Sequence, residues 1–257
     1  MKSFFKYFFI KKYHLLFFAF IFFYSCEVQN DSIDEIKPIE ELETINNNSP
    51  VENNTNTSES KNISYLALGD SYTIGTSVNR EDSFPFILVE ELESLNVYSK
   101  EPRVIAQTGW TTSSLLYAID QENITEEFEL VTLLIGVNNQ YSGQSISTFR
   151  EEFEQLLNLA LKFAGNNTDN VVVISIPDWS ASPYATGRDK NKIRQEIDAF
   201  NNAKQIITAS KNITFINITE ITRQAEGNDY YFASDQLHFS GAMHKLWVDE
   251  ILKYINF

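Results

Sequence analysis

The chain has 257 residues, 43% of them hydrophobic, with 20 basic against 35 acidic side chains and a net charge of −15. That balance excludes a nucleic-acid partner, because binding a phosphate backbone rests on clustered Lys and Arg. The single cysteine, Cys26, excludes an intramolecular disulfide framework and a cysteine-based zinc site.

The charge divides the chain into three stretches. Residues 1–26 carry four lysines, no acid and nine of the twenty phenylalanines. Lys2, Lys6, Lys11 and Lys12 precede a ten-residue apolar run, 15–24, that ends at Ser25-Cys26. A charged start and a short apolar core are the parts of a secretory signal. As helix the run spans only ~15 Å, half of a ~30 Å hydrocarbon core, so a transmembrane anchor is the poorer reading. With its cysteine directly after the apolar run and a small residue, the segment resembles a bacterial lipoprotein signal. The resemblance implies that Cys26 becomes a lipidated N-terminus and that the protein is exported and anchored in the cell envelope, at the outer membrane or the cell surface. The alternative is a plain secretory signal with an incidental cysteine. Residues 27–61 hold nine acids against two lysines, seven aliphatic residues and no aromatic. Such a stretch cannot build a core and reads as a tether, with an r.m.s. span of roughly 30 Å. Residues 62–257 carry −12 and suffice for one buried core.

In that third stretch, strands are expected over 64–68, 103–106, 130–135, 171–176 and 214–216. They are rich in Val, Ile and Leu without polar alternation, as strands covered on both faces are. Between them, 3.6-residue periodicity predicts helices over 85–95, 113–119, 147–163 and 190–210, with a last one over 241–255. Phe149, Phe153, Leu156, Leu157, Ala160 and Leu161 fall on one face of the third, and Met243, Trp247, Ile251 and Ile255 stripe the last. Both stripes are core-facing. Five strand–helix units predict a three-layer, doubly wound α/β/α sandwich with a mainly parallel sheet. Ligands in such folds sit outside the carboxyl ends of the strands.

Those ends carry polar groups in a fixed order. Gly69-Asp70-Ser71-Tyr72-Thr73 follows the first strand, Thr108-Gly109-Trp110 the second, and Gly136-Val137-Asn138-Asn139 the third. Asp235-Gln236-Leu237-His238 stands just before the last helix. Each is common alone. Together, in this order in an α/β domain, they resemble the SGNH (GDSL) hydrolases, a superfamily of esterases and lipases. The resemblance implies a flavodoxin-like five-stranded sheet and hydrolysis of an ester through an acyl-enzyme. It also implies an oxyanion hole formed by the backbone N–H groups of Ser71 and Gly109 and the side-chain amide of Asn138. The family's third block usually has Asp where this chain has Asn139, a change that bears on how Asn138 is held.

The residue chemistry agrees with that implication. A serine hydroxyl is a weak nucleophile until a base takes its proton, and of the three histidines His14 lies in the signal. His238 has a carboxylate three residues earlier, within reach of its Nδ1–H, so Ser71, His238 and Asp235 are expected to act as nucleophile, base and orienting acid. His244 is expected to be a helix-surface or packing residue. Asp178 is the rival carboxylate, although its Pro177-Asp178-Trp179 context favours a loop or substrate-lining role. Gly109 is expected to permit close backbone approach, and Asp70 to bond neighbouring loop backbone. Trp110, Tyr141, Asp178 and Trp179 are candidate substrate-lining residues, as is Tyr184, whether for an acyl chain or a sugar. The absence of a Gly-x-Ser-x-Gly elbow disfavours an ordinary α/β-hydrolase. No metal or organic cofactor is expected. The expected substrate is a small-molecule or glycan ester. Two alternatives stay open: a polysaccharide O-deacetylase of the same superfamily, and a catalytically silent, tethered glycan-binding lipoprotein.

Overall fold

A computed structural model describes residues 60–257. The expectations for the signal, for Cys26 and for nearly all of the tether lie outside the described residues. Five strands form one sheet: β2 (Tyr65–Gly69), β4 (Arg103–Ala106), β5 (Leu130–Leu134), β6 (Val171–Ile174) and β7 (Thr214–Ile216). Their order is β4-β2-β5-β6-β7, and every pairing is parallel. Counted within the sheet this is 2-1-3-4-5, the flavodoxin-like order, and its direction reverses between β2 and β5. Every residue of β2, β5 and β6 is buried, which explains why those runs lack polar alternation.

Two short strands join the predicted set. β1 (Lys61–Ile63) pairs in parallel with β3 (Val97–Ser99) as a separate ribbon. β1 begins at Lys61, inside the stretch expected to be tether. Three residues carry too little pattern to be seen in sequence.

The helices are amphipathic in the expected way. α2 (Phe84–Ser94) packs against α8 (Gly241–Ile251), while α3 (Thr112–Glu122), α5 (Ile146–Phe163) and α6 (Lys190–Ser210) contact one another in succession. Phe149, Phe153, Leu156, Leu157, Ala160 and Phe163 are the buried stripe of α5, and Ser145 caps its first turn by accepting from the Thr148 N–H. α8 buries Met243, Trp247 and Ile251 but stops at Ile251, four residues short of the expected end. Beyond it Lys253 and Tyr254 are exposed, while Leu252 and Ile255 still pack partly against the core. Three one-turn helices were not expected: α1 (Ser71–Ile74), α4 (Val137–Tyr141) and α7 (Thr219–Arg223). Among the described residues, no helix is long and apolar enough to cross a membrane.

Register sets up the site. Gly69 lies opposite both Ala106 of β4 and Leu134 of β5. The segments leaving these three strands therefore emerge side by side at the point where the sheet order reverses.

Candidate active site

The turn after β2 depends on Gly69. A Cβ there would lie 2.0 Å from the Thr73 hydroxyl and 2.4 Å from the Leu134 carbonyl oxygen, so only glycine lets the chain double back against β5. Asp70 then caps α1, its Oδ1 accepting from the Tyr72 N–H at 3.1 Å. This matches the structural role expected for it. Asp70 is fully buried and its Oδ2 has no partner; burial pushes its carboxyl up to about 7, against the pull of the backbone N–H of Tyr72 and of Lys204. Ser71 opens α1 and is 4% exposed.

Ser71 and His238 line one cavity of about 250 Å³, together with Tyr72, Val137, Asn138, Tyr141, Trp179, Tyr184 and Leu237. His238 Nδ1 lies 2.6 Å from Asp235 Oδ2. Asp235 Oδ1 accepts from the backbone N–H groups of Leu237 (3.0 Å) and His238 (2.9 Å). These bonds close the Asp235–His238 segment into a tight loop, with Gln236 at φ 61°. Ser77 adds a hydroxyl that donates to Asp235 Oδ2 at 2.6 Å, from 158 residues away in sequence. Partial burial favours the neutral carboxyl, but the bonds from Ser77, His238 and the two amides outweigh it and hold Asp235 well below the usual carboxylate range. The Tyr72 ring meets the His238 ring edge-on at 5.6 Å and fixes it from the side.

The other two strand ends are tied to each other. Asn138 donates one amide N–H to the Trp110 carbonyl at 2.9 Å, which leaves the second for the cavity that Asn138 lines. Asn139 is fully buried and clasps the start of α3: its Oδ1 accepts from the Thr112 N–H at 3.1 Å and its Nδ2 donates to the Thr112 hydroxyl at 2.6 Å. It also donates to Gln144. An Asn supplies donor and acceptor at once here, where Asp could only accept when ionised.

Gly109 has a φ of +84°, which by itself calls for glycine, and nothing in the protein lies within 4 Å of the Cβ it lacks, so the space beside its backbone is open. Two expectations are corrected. Asp178 is buried away from the cavity. Its Oδ1 accepts from the Ser180 N–H at 2.9 Å and its Oδ2 from Arg223 Nε at 2.7 Å, because a buried carboxylate must be paired. Trp110 does not line the cavity of Ser71. It belongs to a separate open concavity of about 720 Å³ on α3, with Gln107, Tyr117 and Gln121. His244 takes the second of its two expected roles, a buried packing residue. It bonds the Asp82 carbonyl at 2.9 Å through Nδ1 and packs on Trp247 at 4.7 Å. Burial pushes it down to about 4. Tyr141 and Trp179 do line the cavity, as does Tyr184.

Ser77, Tyr72 and Lys204 were not singled out by the sequence. Lys204 is fully buried on α6 and donates to the carbonyls of Ile135 (3.1 Å) and Ile174 (2.7 Å), at the carboxyl ends of β5 and β6. Burial pushes its ammonium down, against the attraction of Asp70. A lysine inside the apolar stripe of α6 was the available signal for it. Ser77 had none: its partner is distant in sequence, and a serine at φ 67° leaves no compositional trace.

The GDSL-like Lipase/Acylhydrolase family matches residues 67–246. No curated protein sequence matches the chain. Solved structures of the same fold include TesA, at 15% identity over 74% of this chain and 97% of that one, with a TM-score of 0.59. The lipase/acylhydrolase from Enterococcus faecalis is 20% identical over 75% of this chain and 94% of its own, with a TM-score of 0.57. The acetyl xylan esterase AlAXEase is 13% identical over 76% of this chain and 100% of its own, with a TM-score of 0.60.

Proposed function

The chain belongs to the GDSL-like lipase/acylhydrolase family and is a hydrolase of ester bonds, and from that premise we propose that it is a serine esterase working through an acyl-enzyme on Ser71. The observation that carries this is the 2.6 Å contact of His238 with Asp235, in a cavity that His238 shares with Ser71 and Asn138. Ser71 Oγ adds to the ester carbonyl as its proton passes to His238 Nε2. Asp235, already holding Nδ1–H, fixes the tautomer and stabilises the imidazolium. The backbone N–H groups of Ser71 and Gly109 and the free N–H of Asn138 receive the oxyanion, each such donor being worth ~2.7–4 kcal/mol in the transition state. The imidazolium returns its proton to the departing alcohol. Water then repeats the sequence on the acyl-enzyme, releasing the acid and restoring Ser71.

The test is a series of p-nitrophenyl esters from acetate to palmitate, with an acetylated sugar beside them. Ser71→Ala is expected to lose at least 10³-fold in kcat, and the native enzyme to be labelled by a serine-directed organophosphonate. Turnover that survives in Ser71→Ala would sink the proposal. A polysaccharide O-deacetylase is the second reading. It is favoured by the exposed Tyr117 beside Trp110, Gln107 and Gln121 on α3, rings and amides of the kind that hold a sugar, and by the acetyl xylan esterase among the structural neighbours. A maximum at acetate, with turnover of the acetylated sugar, would select it. Anchoring through a lipid on Cys26 belongs to the same proposal and rests on the signal-like segment before it.

A further inference from the structure

Three aromatic rings wall the cavity of Ser71. Trp179 meets Tyr141 edge-on at 5.4 Å and Tyr184 at 6.3 Å, and the two tyrosine hydroxyls lie 3.2 Å apart. Trp179 is locked from behind, its indole N–H donating to Gln140 Oε1 at 2.9 Å. Arg188 follows the 3-10 turn Pro183–Ala185. Its guanidinium carbon lies 4.7 Å from the Tyr184 ring centre, 5.4 Å from Trp179 and 5.7 Å from Tyr141.

Among the described residues Arg188 has no carboxylate partner, although the chain has far more acids than bases. Asp189 and Glu196 line the same concavity as Arg188 and Lys192, and each has a partner other than Arg188. Asp189 Oδ1 caps α6 through the Lys192 N–H at 3.0 Å, and the Glu196 carboxylate accepts from Gln140 Nε2 at 2.7 Å with Lys192 Nζ at 3.8 Å. Arg188 and Lys192 line a second concavity of about 430 Å³ that shares Tyr141 and Trp179 with the cavity of Ser71. A substrate held at Ser71 and extending past these two rings therefore meets a cation. The three rings pack around the guanidinium, which also bonds the side chains of Tyr141 and Tyr184; a guanidinium has five N–H donors, enough to keep these bonds and still meet a carboxylate or phosphate. A domain of net charge −12 repels anions in general, which makes a cation without a carboxylate partner at this position a means of admitting one.

We propose that Arg188, set on Tyr141, Trp179 and Tyr184, is an anion subsite, and that the preferred esters carry a carboxylate or phosphate beyond the scissile bond. The inference rests on the reading of Ser71 as the nucleophile and adds the substrate's charge to it.

Matched esters test it: 4-acetoxybenzoate against 4-acetoxybenzamide for an anion on the alcohol part, and 4-nitrophenyl hydrogen adipate against 4-nitrophenyl hexanoate for one on the acyl part. The native enzyme is expected to favour the anionic member of at least one pair in kcat/KM. Arg188→Gln is expected to lower that anionic-to-neutral ratio about tenfold, Arg188→Lys to recover part of it, and 0.5 M salt to erode it in the native enzyme. Equal ratios in native and Arg188→Gln enzymes, for both pairs, would overturn the subsite and leave the esterase reading standing. Should no ester be turned over, the esterase reading falls instead, and calorimetry with 4-hydroxybenzoate still decides the subsite. Binding that Arg188→Gln abolishes upholds it, and binding unaffected by that substitution, or none in the native protein, refutes it.

Discussion

Asp235 is one carboxylate shared among four donors, and the way they divide determines how firmly the His238 ring is held. Two backbone amides occupy Oδ1, while Oδ2 serves both His238 and Ser77. Ser77→Gly removes the hydroxyl without strain, because glycine adopts φ 67° freely. Losing that donor loosens the hold on Asp235 and, through it, on the His238 ring, and kcat is expected to fall about three- to tenfold in this variant. An unchanged kcat would make Ser77 a bystander. His244 tells a different story from the same residue type. Its folded value of about 4 lies below the unfolded 6.5, so the unfolded chain binds more protons between those limits and stability falls as pH drops from 6.5 to 4. Over that window the native protein is expected to lose about 2–4 kcal/mol relative to His244→Leu, measured by urea unfolding at each pH. Asp70, whose folded value is raised, contributes the opposite slope equally to both proteins.

At the scale of elements, the site is held by ties between neighbouring strand ends more than by any one turn. Asn138 to Trp110 and Asn139 to Thr112 bind the segment after β5 to the segment after β4. Lys204 reaches from α6 to Ile135 and Ile174, pairing carbonyls where the β5–β6 ladder has ended. Lys204→Met leaves both carbonyls without that donor. Each unpaired buried acceptor costs about 1–3 kcal/mol, and release of a desolvated ammonium offsets part of the loss. A net destabilisation of about 2 kcal/mol is expected as a lower urea midpoint at unchanged slope; a variant as stable as the native protein would mean that the buried charge costs as much as its bonds return. The long helices and central strands were legible because each has enough residues to display a period: α6 matches its expected span at both ends and β4 does as well. α1, α4 and α7 have four or five residues, too few to show a period, and of the three only α1 has a side-chain cap, from Asp70.

The molecule as a whole places its chemistry where the sheet order reverses, and a long stretch of chain outside the described residues precedes that domain. A charge of −7 and no aromatic residue over 27–61 are the ground for proposing a spacer between an anchor and the enzyme. If Cys26 carries the anchor, Cys26→Ser is expected to move the protein from the membrane to the soluble fraction with its esterase activity intact; unchanged membrane association would refute the anchor. By itself the sequence determined the parallel α/β class, the strands and long helices, and the four blocks around Ser71, Gly109, Asn138 and His238, because apolar periodicity and short-range motifs are local properties of a chain. Only the tertiary structure decided what lies between the blocks. It brought Ser77 to Asp235 across 158 residues, turned Asp178 toward Arg223 and away from the cavity, put Lys204 beneath the strand ends, and brought Tyr141 of α4 to Arg188. Pairings of this kind depend on where strand register and helix packing deliver a side chain, and no spacing along the sequence encodes that.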